Sequence, residues 1–173
     1  MNKSWIYKGL VAVVLFQMLV LAGVFITAFH PLWTGTEIKL RTVPIDPRSL
    51  FRGHYARLRY DISTIPKSDI DSSGVAREND IVYICLRSGD DGIYEYCGAS
   101  FEKPASGMFL RGRLHYPRTR LDAQKYNVRY GIEALFTPQE KAANLEKQLR
   151  NGGIAIVKIA KNGKAALKNV LVE

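Results

Sequence analysis

From Gly9 to Phe29 the chain carries no charged side chain, and this run restricts the fold more than any other feature. A helix rises about 1.5 Å per residue, so the run is roughly 30 Å long, enough to cross a hydrocarbon core. After Gly9 only Gln17, Gly23 and Thr27 interrupt the apolar pattern, and Trp5, Tyr7 and Trp33 flank it as interfacial aromatics do. Lys3 and Lys8 precede the run, and no acidic residue occurs before Glu37. The positive-inside rule then predicts a cytoplasmic N-terminus, with everything after His30 on the far side of the membrane. A cleavable signal peptide fits less well, because its core is shorter and ends at small residues, whereas the exit here is bulky (ITAFHPLW). LVLAG resembles the start of a lipoprotein box, but Val24 stands where a cysteine is required. Gln17 is a lone polar group that can seek a partner helix, although a single Gln in a span is often simply tolerated.

That placement governs how charge and cysteine are read. The net charge is +9, from 25 basic and 16 acidic side chains. Such an excess suits nucleic acid in the cytosol. Outside the cytoplasm it serves solubility, or faces anionic lipid or glycan, and no nucleic-acid partner is expected. Cys85 and Cys97 lie in two β-rich runs, Ile81 to Leu86 and Ile93 to Cys97, around the turn-forming Ser-Gly-Asp-Asp-Gly. If the turn centres on Asp91 the two cysteines face each other, and an oxidising compartment permits a disulfide. Two buried thiols are the alternative. Zinc is disfavoured, because no CxxC or His pair accompanies them and His30, His54 and His115 are scattered.

The remaining chain reads as a β-rich α+β domain of about seven or eight mostly antiparallel strands with one helix, spanning residues 36–173 behind an anchor over residues 1–30. His30 to Gly35 is a short exit linker. Thr36 to Val43 alternates as a half-buried strand. Pro44 and Pro47 then exclude a central strand, and the Asp46-Pro47 pair predicts a single helical turn that Gly53 ends. Tyr55 to Ile62 reads as the next strand, with Ala56, Leu58, Tyr60 and Ile62 toward the core and Tyr55, Arg57, Arg59 and Asp61 away from it. Lys67 to Asn79 is a polar loop. Met108 to Tyr116 and Tyr126 to Ile132 form another strand pair, separated by the basic segment Pro117 to Lys125. Thr137-Pro138-Gln139-Glu140 starts a helix through an N-cap, a first-position proline and a capping box, and Gly152-Gly153 stops it. Ile154 to Ala160 and Ala165 to Val172 close the domain as a hairpin through Asn162-Gly163.

Gly53-His54-Tyr55-Ala56-Arg57-Leu58-Arg59-Tyr60 resembles the signature of the GDYXXLXY family of bacterial membrane-anchored proteins. Gly53, Tyr55, Leu58 and Tyr60 match the motif, and His54 stands where the motif has Asp, which weakens any role that needs a carboxylate there. Val43-Pro44-Ile45-Asp46-Pro47-Arg48 resembles the family's approach to the motif. Tyr130-Gly131-Ile132-Glu133, with Phe136, Pro138 and Glu140, resembles its later block. The resemblance assigns no chemistry. It implies an integral membrane partner, since such proteins are typically encoded beside multi-span membrane proteins.

The residues themselves allow a structural and a functional reading. Structurally, Asp46, Gly53 and Gly131 shape turns that feed strands, and Asp46 caps its turn or pairs with Arg48 or Arg52. Functionally, Arg48, Arg52, His54 and Tyr55, extended by Tyr60, Tyr130 and Glu133, form a recognition patch for a protein, because Arg and Tyr are enriched at interface hot spots. No cofactor is expected, as no phosphate loop, metal cluster or dinucleotide fingerprint occurs. An envelope hydrolase is one alternative: Ser49 with Lys158 as base, or the carboxylates Glu133 and Glu140. A module binding anionic lipid or glycan is another. The favoured expectation is a non-enzymatic, membrane-anchored accessory subunit on the periplasmic side of a bacterial inner membrane.

Overall fold

A computed structural model describes residues 3–43, 55–70, 76–116, 124–136 and 152–172 of the chain. The apolar run lies within one long helix, α1 (Lys3–Thr34), which includes Pro31 near its end. Ile6–Thr34 is long and apolar enough to cross a membrane, with a mean hydropathy of 2.6, and none of its most apolar window is covered by the rest of the protein. Most of its large side chains, from Ile6 to Trp33, are correspondingly exposed. In water that surface would be costly, and in lipid it is solvated.

The predicted exit linker is instead the last turn of α1, and only Gly35 separates it from β1 (Thr36–Val43). Gly35 N–H donates to the Pro31 carbonyl at 2.9 Å. A side chain at this position would run into the Pro31 carbonyl and lie 3.0 Å from the Ile159 backbone, so the passage from helix to strand requires glycine. Lys158 Nζ donates to the Leu32 carbonyl at 2.8 Å, a cation on an otherwise unpaired carbonyl at a helix C-terminus.

The other strands are β2 (Tyr55–Arg57), β3 (Arg59–Tyr60), β4 (Thr64–Pro66), β5 (Ile81–Ser88), β6 (Ile93–Ser100), β7 (Met108–His115), β8 (Lys125–Arg129), β9 (Ala134–Phe136), β10 (Gly153–Ile159) and β11 (Ala165–Val172). They form a curled nine-stranded sheet in the order β11-β10-β1-β6-β5-β7-β8-β4, with β3 added to β1, and a separate two-stranded ribbon of β2 with β9. Pairing is antiparallel among the described strands except where β1 meets β6, at Lys39↔Ile93 and Leu40↔Tyr94. Period-two alternation sends one face inward. Ile38 and Leu40, Val82 and Ile84, Leu110 and Leu114, and Ala155 and Val157 are almost fully buried and form one core cluster. Each Val, Leu or Ile among them contributes about 1.5–3 kcal/mol by leaving water.

Two further expectations need correction. The strand predicted over Tyr55 to Ile62 is broken into β2, β3 and a 3-10 turn at Asp61–Ser63. Its inward parity nevertheless holds for Leu58, Tyr60 and Ile62, which are all buried. The strand predicted over Tyr126 to Ile132 ends at Arg129, because Gly131 takes φ +82° and turns the chain toward β9. The helix expected from Thr137, the turn around Asp46 and Arg48, and most of the basic segment from Pro117 lie outside the described residues.

Candidate functional site

The motif enters the described structure as the β2/β9 ribbon, in register at Tyr55↔Phe136, Ala56↔Leu135 and Arg57↔Ala134. Where β2 ends, Leu58 N–H donates to the Glu133 carbonyl at 2.8 Å. The chain then joins the main sheet as β3, with Thr42↔Tyr60 and Val43↔Arg59. The motif therefore spans a junction: its first half belongs to the ribbon and its second half to the core sheet.

Tyr60 and Tyr130 lock this junction by a reciprocal brace. Tyr60 Oη donates to the Ile132 carbonyl at 2.6 Å, two residues beyond Tyr130. Tyr130 Oη donates to the Ile62 carbonyl, two residues beyond Tyr60. The rings meet edge to face at 6.4 Å, a favoured aromatic geometry. Tyr60 is 1% exposed and Tyr130 8%. Burial, reinforced by the nearby Glu133 carboxylate, pushes both phenols above their ordinary pKa. Glu133 completes the device by accepting the N–H groups of Tyr130 and Gly131 on its two carboxylate oxygens. Gly112 makes the room: a Cβ there would collide with Val128 and sit 3.0 Å from the Tyr130 ring.

This placement revises the roles expected of three residues. Tyr60 and Tyr130 are core residues whose hydroxyls are engaged inside, so a partner at the surface does not reach them. Glu133, expected in the recognition patch, has both carboxylate oxygens on backbone N–H groups, and Gly131 has the turning role expected of it. Tyr55 contributes its backbone to the ribbon. Asp46, Arg48, Arg52, Gly53 and His54 lie outside the described residues. Lys158, considered above as a base for Ser49, is engaged with the end of α1.

Cys85 and Cys97 form a disulfide with a Cα–Cα separation of 5.2 Å. Their register differs from the simple expectation. Leu86 pairs with Tyr96, but Cys85 pairs with Gly98, so Cys97 is the extra residue of a bulge.

A polar chain not anticipated from the scattered histidines lies where β7 and β8 meet. Glu78 accepts Tyr116 N–H at 2.8 Å and also bonds His115 Nδ1. His115 Nε2 lies 3.2 Å from the Arg129 guanidinium. The Tyr116 N–H, followed by the bond to His115, holds the Glu78 carboxyl below its ordinary range. Glu78 precedes β5, so only tertiary pairing brings it to His115. Among the described residues no group of three or more His, Cys, Asp or Glu could hold a metal ion.

Residues 17–170 match the family described as GDYXXLXY protein. No curated protein and no solved structure matches the chain. From α1 through the motif to β11, the chain belongs to the GDYXXLXY family.

Proposed function

We propose that the protein is a membrane-anchored accessory or assembly subunit whose domain lies on the periplasmic side of a bacterial inner membrane and binds an integral membrane protein. The observation that carries this reading is the ribbon of β2 and β9. It stands apart from the main sheet, and the Tyr60–Tyr130 brace holds it there. A rigid base of this kind reduces the ordering cost of a partner contact made beside it. The segment leading into it contains Arg48, Arg52 and His54, and Arg is a frequent hot-spot residue. The orientation draws support from Lys3 and Lys8 before the span, and the compartment from the Cys85–Cys97 bond.

The test is co-purification of the tagged full chain from native membranes in mild detergent. The expected result is stoichiometric recovery of one integral membrane protein, reduced by Arg52→Ala with the disulfide intact. If the chain purifies alone and Arg52→Ala has no effect in vivo, the reading fails.

A further inference from the structure

Four cations converge at the foot of α1. Arg111 and Arg113 alternate with the buried Leu110, Gly112 and Leu114 along β7, so they leave the opposite face of the strand. Arg129 on β8 is the register partner of Arg113. Lys164 arrives from elsewhere in the sequence: Arg111 N–H donates to the Gly163 carbonyl at 2.8 Å and draws the β10–β11 turn onto β7. With Thr27, Ala28 and Pro31 of α1 these four line a cleft of about 480 Å³.

Among the described residues none of the four forms an ion pair with a carboxylate. Arg113 donates to the Asn79 carbonyl, and the Arg129 guanidinium lies 3.2 Å from His115 Nε2. The one carboxylate among the described lining residues, Glu133, already accepts two backbone N–H groups. Like charges gathered on one wall repel unless an anion lies between them, and the planar forks of arginine match phosphate oxygens.

The level of the cleft selects the anion's source. Thr27 and Ala28 are among the last residues of the apolar run, and Pro31 is one turn further on. With α1 in a bilayer, this is where hydrocarbon gives way to headgroups. We infer that the cleft binds the headgroup phosphate of an anionic phospholipid from the leaflet that faces the domain. The inference rests on α1 spanning the membrane and is independent of the protein partner. The net positive wall disfavours a headgroup that carries its own cation.

The test uses the full chain in a neutral detergent, titrated with dioctanoyl phosphatidylglycerol, dioctanoyl phosphatidylcholine or inorganic phosphate and followed by thermal unfolding. Phosphatidylglycerol is expected to raise Tm saturably, with the other two at least about tenfold weaker. The double substitution Arg129→Gln with Lys164→Gln should weaken the phosphatidylglycerol response at least about tenfold, since each basic residue near a lipid surface adds appreciably to binding. Arg41→Gln with Arg87→Gln, exposed cations away from the cleft, should leave it unchanged. Equal binding of inorganic phosphate would make this a free-anion site and overturn the inference. So would equal binding of phosphatidylcholine, an unaltered response of the Arg129/Lys164 variant, or an equal loss in the Arg41/Arg87 control. Ligand-free Tm reports whether each variant folds. Should the double variant unfold, Lys164→Gln alone repeats the test, as no side-chain bond of Lys164 is found among the described residues. Failure of the anchoring reading is separately visible as release of the chain from membranes by alkaline carbonate.

Discussion

The β5–β6 and β10–β11 hairpins turn in the same way and are secured by different means. In the first, Gly92 N–H donates to the Gly89 carbonyl and Gly89 N–H to the Ile93 carbonyl; in the second, Gly163 N–H donates to Ala160 and Ala160 N–H to Lys164. Gly92 and Gly163 have φ values of +72° and +79°, which places both turns in the three-residue class that ends in a left-handed residue. Beyond the turn the likeness ends. A Cβ on Gly92 would meet open space, and this hairpin is joined covalently across its strands by Cys85–Cys97. A Cβ on Gly163 would lie 2.7 Å from the Phe109 ring, and its carbonyl is bonded to β7. One hairpin is stapled to itself and the other is packed onto the sheet. Identical local chemistry leaves the mode of attachment open, and that choice belongs to the tertiary surroundings.

The contrast can be broken experimentally. The largest effect should come from removing the staple: Cys85→Ala with Cys97→Ala is expected to lower unfolding free energy by about 3 kcal/mol, read by urea denaturation in detergent. A cost near zero would mean that β5 and β6 need no covalent help. Next, Gly163→Ala should cost about 2–3 kcal/mol, combining a strained backbone with overpacking against Phe109, while Gly92→Ala should cost only about 1–2 kcal/mol from backbone strain. Equal costs for the two glycines would remove the distinction drawn between the turns.

The smallest effect near neutrality concerns the brace that neither hairpin shares. The Tyr60 and Tyr130 phenols are raised in the folded state, chiefly by burial. Their contribution is fully present below the unfolded phenol pKa of about 10 and is lost as pH rises above it. Stability should therefore be flat in this respect to about pH 10 and fall beyond it, with the fall diminished in Tyr60→Phe. An undiminished fall in that variant would assign the alkaline loss to other groups.

Alternation along Thr36 to Val43, β-rich composition over Ile81 to Leu86 and the Asn162-Gly163 turn before Ala165 to Val172 were sufficient to place these strands, because each pairs along most of its length. The motif strand was legible in parity but not in continuity. Its break follows from Leu58 bonding the Glu133 carbonyl, a contact far away in sequence that no local pattern announces. The cysteine pair could be anticipated from its symmetry about Asp91, whereas the bulge that displaces Cys97 by one position could not. The recognition patch was read from residue type: Tyr60, expected toward the core, and Tyr130 were both included in it, yet their hydroxyls donate to the Ile132 and Ile62 carbonyls inside the core. The basic cleft was invisible for a related reason: Arg129 and Lys164 come to one cleft only after the edge of β7 opposite β5 has collected both β8 and the Gly163 turn.

The single residue between α1 and β1 has a mechanical consequence. A long tether would let the domain wander over a hemisphere and would hide the anchor's motions from it. Gly35 is instead a stiff joint, pinned by Pro31, Ile159 and the Lys158 bond to Leu32. Transmembrane helices tilt to match bilayer thickness. With α1 in a bilayer, a tilt would pass through this joint to the sheet, so that a change in membrane thickness would redirect the ribbon of β2 and β9.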